Sequence, residues 1–153
     1  KMSTDLQMAW TDKVTSINVN PQYPVGRRRF ENGREYIYQQ ADDTIAVNSA
    51  VKLDITASAS GLKVTPVAAE GDSLFGIAET AITDEYYGWI TVKGVASALV
   101  ATGVAADDPL CPSTSGALRD AVEAGSGDYK FVRCSAMEAN ASGGTLAKNV
   151  YLY

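Results

Sequence analysis

The chain has 153 residues, 18 acidic against 13 basic for a net charge of −5, and no histidine. The length suits one domain, the acidic balance repels phosphate and argues against a nucleic-acid partner, and the missing imidazole removes the usual zinc ligand sets and the Ser-His and Cys-His nucleophile systems. No run of 18 apolar residues is available to span a membrane as a helix, and Lys1-Met2-Ser3-Thr4-Asp5 has no hydrophobic segment behind it, so it is not expected to be a secretory signal.

Residues 1–24 read as an N-terminal arm. Trp10 and the alternation Val14, Ile17, Val19 allow a short strand at most, and Pro21 and Pro24 bracket Tyr23 and break any helix. The arm has too few apolar residues to fold alone, so it packs on the body or reaches a neighbouring molecule. The body, residues 25–153, opens with Phe30-Glu31-Asn32-Gly33-Arg34-Glu35-Tyr36. Asn-Gly supplies the positive φ angles of a tight type I′ hairpin turn. Strands are then expected over Arg34 to Gln40, Val47 to Ile55 and Leu62 to Val67, with Pro66 confining that last end to a sheet edge. The loop tip Ala57-Ser58-Ala59-Ser60-Gly61 separates the latter two. Ser73 to Ala81 and Tyr86 to Val100 carry the strongest strand signals, rich in aromatic and β-branched residues; Gly88 and Gly94 within the second predict bulges or close backbone approach. Gly116 to Gly125 has Ala117, Leu118, Ala121 and Val122 at helical spacing but is read as a strand, and Tyr129 to Met137 and Ala147 to Tyr153 close the body.

The strand reading of Gly116 to Gly125 rests on an internal repeat. Val51-Lys52-Leu53-Asp54, Gly61-Leu62-Lys63, Phe75-Gly76-Ile77-Ala78-Glu79 and Trp89-Ile90-Thr91-Val92 are echoed by Pro109-Leu110-Cys111, Gly116-Ala117-Leu118, Phe131 to Ala139 and Asn149-Val150-Tyr151-Leu152. Two lobes, about 44–100 and 101–153, follow, and Glu79 and Glu138 are expected at equivalent places. The predicted fold class is therefore all-β, a small barrel- or sandwich-like body with an internal pseudo-repeat and an extended N-terminal arm.

Chemistry-bearing patterns are sparse. Asp42-Asp43, Asp84-Glu85 and Asp107-Asp108 are adjacent acids, which point apart on an extended chain and suit turns; a cleft-spanning pair for glycoside hydrolysis needs a different arrangement. No catalytic residue, metal site or cofactor is expected. Cys111 and Cys134 are read as two free, partly buried thiols. The basic cluster Arg27-Arg28-Arg29-Phe30 is the candidate contact surface, with Trp10 and Tyr23 as aromatic anchors, because arginine and large aromatics are enriched where proteins meet.

The succession Phe30-Glu31-Asn32-Gly33-Arg34-Glu35-Tyr36, Phe75-Gly76-Ile77-Ala78-Glu79 and Tyr87-Gly88-Trp89-Ile90-Thr91-Val92-Lys93-Gly94-Val95-Ala96 resembles the capsid decoration, or cement, proteins of tailed bacteriophages. Ala106-Asp107-Asp108-Pro109-Leu110 and Lys148-Asn149-Val150-Tyr151-Leu152 are similar to the same group. The resemblance implies a β-rich homotrimer on the outer surface of an icosahedral capsid. Its partner there is the major capsid protein, and it needs no nucleic acid, membrane or cofactor. It carries no catalytic residues. The competing expectation is a phage fibre or adhesin-type carbohydrate-binding module, with Tyr86, Tyr87 and Trp89 as a stacking platform.

Overall fold

The computed structural model describes residues 10, 12–56, 62–121 and 133–153. Among them the chain is all-β, without a helix. The strands are β1 (Arg28–Glu31), β2 (Arg34–Ala41), β3 (Ser49–Asp54), β4 (Lys63–Pro66), β5 (Gly76–Ala78), β6 (Tyr87–Val100), β7 (Pro109–Pro112), β8 (Leu118–Asp120), β9 (Cys134–Ala136) and β10 (Leu146–Leu152). The loop tip at 57–61 and the stretch 122–132, including the first part of the strand expected at 129–137, lie outside the described residues.

The strands close into two rings. β2 pairs with β6 antiparallel and with β4 parallel; β4 pairs with β3, β3 with β5, and β5 returns to β6. The C-terminal half of β6 then pairs with β10, β10 with β9, β9 with β7 and β7 with β8, and β8 closes parallel onto β6 where Val100 faces Leu118. Both five-strand rings have four antiparallel contacts and one parallel contact, in the same order. The two rings thus repeat one topology. β6, 14 residues long, is the last strand of the first barrel and the first strand of the second. The first ring also draws in β2, from before residue 44.

One strand serves two barrels because it bends between them. A register shift places Glu35 opposite Lys93 but Tyr36 opposite Thr91, leaving Val92 as the bulged residue, and a bulge sharpens local twist. Two residues on, Gly94 has φ 92°, a conformation costly for any residue with a Cβ. A Cβ there would stand 2.7 Å from the Gly33 carbonyl oxygen. Gly88, the other expected close approach, admits the Ile82 and Ile17 side chains.

Alternation along each strand fills each ring with its own side chains. The first holds Ala41, Ile45, Val51, Val64, Ala78, Ile82 and Ile90. Matching the registers gives the second Val100, Val104, Leu110, Leu118, Ala136, Asn140 and Val150 at the corresponding places, all buried. Larger residues at Val100, Leu110 and Leu118 offset smaller ones at Val104 and Val150. Each such aliphatic burial is worth about 1.5–3 kcal/mol relative to exposure. The one polar exchange is Ile82 for Asn140, which is 1% exposed. Its Nδ2 donates to the carbonyls of Val100 (2.8 Å), Ala101 (3.1 Å) and Gly144 (3.0 Å), and its Oδ1 accepts from Ser142 Oγ.

The same register corrects one expected equivalence. Ile45 bridges Ile82 and Val104 bridges Asn140, so Ala78 corresponds to Ala136 and Glu79 to Met137, one residue short of Glu138. The two glutamates differ in role accordingly. Glu79 accepts from the Ser97 amide, Thr91 Oγ1 and Arg34. Glu138 is exposed and accepts only from the Asn149 side chain among the described residues.

The barrels are also sutured along a seam. The Ala50 amide donates to Gly116 O and the Gly116 amide to Val67 O, Arg119 pairs with Glu70 at 2.7 Å, and Ala50, Val67, Leu74, Ile77, Ala96 and Ala98 join the second barrel's core. Both thiols are free. Leu110 pairs with Cys134 across β7 and β9 and both are buried, so Cys111, next along β7, points to the opposite face.

Candidate partner-contact surface

The hairpin forms where Asn-Gly predicts it. Asn32 and Gly33 have φ 51° and 75°, and Glu31 faces Arg34 across the two-residue turn. The described arm residues lie across this hairpin and the outer face of β2 and β6. Asn18 exchanges two backbone hydrogen bonds with Tyr87, at 2.8 and 2.9 Å, and Ile17 packs against the first core. Trp10 meets Tyr23 and Trp89 edge-on, with ring centroids 5.5 and 5.4 Å apart, and Tyr23 meets Tyr38 the same way at 5.4 Å.

Asp12 ties this aromatic cluster together. Its Oδ1 accepts from the Tyr23 hydroxyl (2.7 Å) and from Arg29 Nη1 (3.4 Å), its Oδ2 from Trp89 Nε1 (3.1 Å), and its backbone oxygen from Arg29 (3.0 Å). Arg29 is 5% exposed. It lies over the Trp10 and Trp89 rings, and its other guanidinium nitrogen meets Glu31 at 2.6 Å.

The six residues singled out in the sequence are therefore brought together but divided between two faces. Trp10, Tyr23 and Arg29 spend their contacts inside the molecule, holding the arm on the body. Arg28 and Phe30 face outward, Phe30 being 69% exposed, while Arg27, though exposed, carries its guanidinium to 5.8 Å from the centroid of the Trp10 ring. The division follows from strand alternation, which turns Arg29 toward the cluster and its two neighbours away. Arg28 reaches Glu35 at 3.1 Å with most of its side chain in solvent.

Beyond Phe30 the hairpin and the second barrel enclose a groove of about 480 Å³, lined by Phe30, Glu31, Asn32, Gly33, Arg34, Glu35, Lys93 and Tyr151. Lys93 is exposed and has no ion pair among the described residues. Tyr151 is 43% exposed and packs edge-on against Tyr153. Sequence reasoning missed Asp12, Lys93 and Tyr151. The alternation Tyr151-Leu152-Tyr153 was the available signal: with Leu152 buried, both tyrosines must face out.

Acidic pairs behave as turn formers. Asp107 has φ 69° and Glu85 φ 65°, Asp43 accepts from the Thr44 amide, and Asp108 from that of Ala105. Asp42 and Glu85 clasp Lys63 at 2.9 and 2.5 Å, and the Glu85 bond, then the Asp42 bond, raise the Lys63 pKa. Trp89, 3% exposed beneath Trp10 and Tyr23, presents no face to a sugar ring, and Tyr87 stacks on Tyr38. Among the described residues no group of three or more His, Cys, Asp or Glu is arranged to hold a metal ion, and no helix is long and apolar enough to cross a membrane. No protein-family model matches the chain, and no curated protein matches it.

Proposed function

We propose that this chain is a capsid decoration protein of a tailed bacteriophage, binding the outer surface of the head as a homotrimer and stabilising it across junctions of the major capsid protein. The observation that carries the reading is the exposed Arg27-Arg28-Phe30 edge on an acidic double barrel, joined to the resemblance over residues 25–153. Opposite local charge steers such an edge onto a partner that the rest of the surface would repel. A trimer engages several subunits at once, so modest contacts at each site combine into firm attachment.

The test is reconstitution. Arg28→Glu should lower occupancy on purified shells while leaving the fold intact, because Arg28 makes only an exposed ion pair with Glu35, worth at most about 1 kcal/mol. Unchanged occupancy removes the edge from the proposal.

A further inference from the structure

Closing a sheet into a barrel removes its edges. Here β2 to β10 each have neighbours on both sides within one ring or the other. β1 pairs only with β2, so among the described strands it alone keeps a free edge. The two-residue turn makes Glu31–Arg34 a hydrogen-bonded pair, and bonded pairs recur at alternate residues. Arg29 and Glu31 therefore spend their backbone groups on β2, as Arg27 does through the Tyr38 amide. Arg28 and Phe30 turn theirs outward.

A merely protected edge is short and charged. β1 is short and carries arginines, but it also sets Phe30, 69% exposed, in mid-strand, at the lip of the groove that holds Lys93 and Tyr151. We propose that β1 is an acceptor edge: an extended, acidic segment of a partner protein adds as a strand beside Arg28 and Phe30, its carboxylates meeting Arg28 and Lys93 and one apolar side chain entering the groove between Phe30 and Tyr151. Main-chain bonds supply affinity in such strand addition, and alternate side chains supply selectivity. Charge picks the occupant, since the edge is locally positive on a chain of net charge −5.

The inference rests on the proposed function only in treating this edge as a contact surface, and its test needs no shell. The probe is a capped heptapeptide, Thr-Glu-Thr-Val-Thr-Glu-Thr, which puts both glutamates and the valine on one face, and its counterpart with lysine at both glutamates. Backbone amide exchange of the whole protein is followed by NMR. The acidic peptide slows exchange at Arg28 and Phe30, and the lysine peptide binds roughly tenfold more weakly or less, the difference shrinking as salt rises. Phe30→Pro deletes an outward N–H without touching the β1–β2 ladder and abolishes the protection; Phe30→Thr keeps the N–H and weakens binding by losing the groove contact. Tryptophan emission confirms that each variant keeps its arm docked.

Equal binding of both peptides, or no protection at millimolar acidic peptide, overturns the inference. So does a concentration-dependent dimer that protects the same amides without peptide, because the occupant is then a second copy. Failure here leaves the reconstitution result standing, and a failed reconstitution leaves this edge standing.

Discussion

Asp12→Ala isolates what holds the arm to the body. The substitution removes the acceptor for Trp89 Nε1 at 3.1 Å, for the Tyr23 hydroxyl at 2.7 Å and for one Arg29 bond at 3.4 Å. Trp89 is 3% exposed, and a buried donor left without a partner costs about 1–3 kcal/mol. Arg29 keeps Glu31 and the residue-12 carbonyl, and the half-buried Tyr23 hydroxyl can turn to water, so the remainder is smaller. The expected loss is about 2–4 kcal/mol. With a urea slope of about 2 kcal/mol/M, a 3 kcal/mol loss lowers the midpoint by roughly 1.5 M. The chain has only two tryptophans, Trp10 and Trp89, and both lie in the cluster, so their emission reports docking directly. Asp12→Ala should red-shift that emission before the main unfolding transition, while Lys13→Ala, at an exposed neighbour, changes nothing. An unshifted midpoint and unchanged emission in Asp12→Ala would refute the assignment of Asp12 as the tie.

Other outcomes follow from the same structure. Asn140→Ile installs the residue of the matching first-barrel position, yet it should destabilise by about 1–3 kcal/mol, because it leaves the Val100, Ala101 and Gly144 carbonyls without their donor; a neutral result in thermal melts would mean the two barrel ends are interchangeable. Burial alone would raise the Asp72 pKa, but the Lys52 bond and the Ala68 and Ala69 amides outweigh it and hold the group below the ordinary aspartate range. A depressed carboxyl stabilises above its unfolded pKa and loses that contribution as pH falls through the folded one, so unfolding midpoints should drop from about pH 4 downward, less steeply in Asp72→Asn. Desolvation pushes Cys134 up to about 12 and also raises Cys111, against the opposing effect of Arg119. Cys134 should therefore resist a thiol reagent at neutral pH until the protein is unfolded; rapid native labelling would show that the second barrel opens.

Much of this architecture was legible because period-two patterning and turn chemistry are local. Asn32-Gly33 fixed its own turn, and Val150 and Leu152 alternate with Asn149 and Tyr151 in a strand that could have only one buried face. A repeated order of motifs was read in the sequence. Its register was not, because Glu79 and Glu138 look equivalent until the Ile45–Ile82 and Val104–Asn140 bridges set the offset. That one strand closes both barrels was hidden for a physical reason: the hand-over depends on a bulge at Val92 and on Gly94, and a single glycine in a strand does not announce what lies beyond it. In the candidate surface the arginines were legible as a cluster but not as two faces. Which of three consecutive arginines turns inward depends on the aromatic floor supplied by residues far away in the chain, Trp10 and Trp89.

The proposed cementing role is tested most directly by heating phage particles assembled with and without this protein and following release of their DNA. Depleted particles should lose DNA at a lower temperature, with the purified protein restoring retention when added back. Release at the same temperature in both preparations would contradict the role.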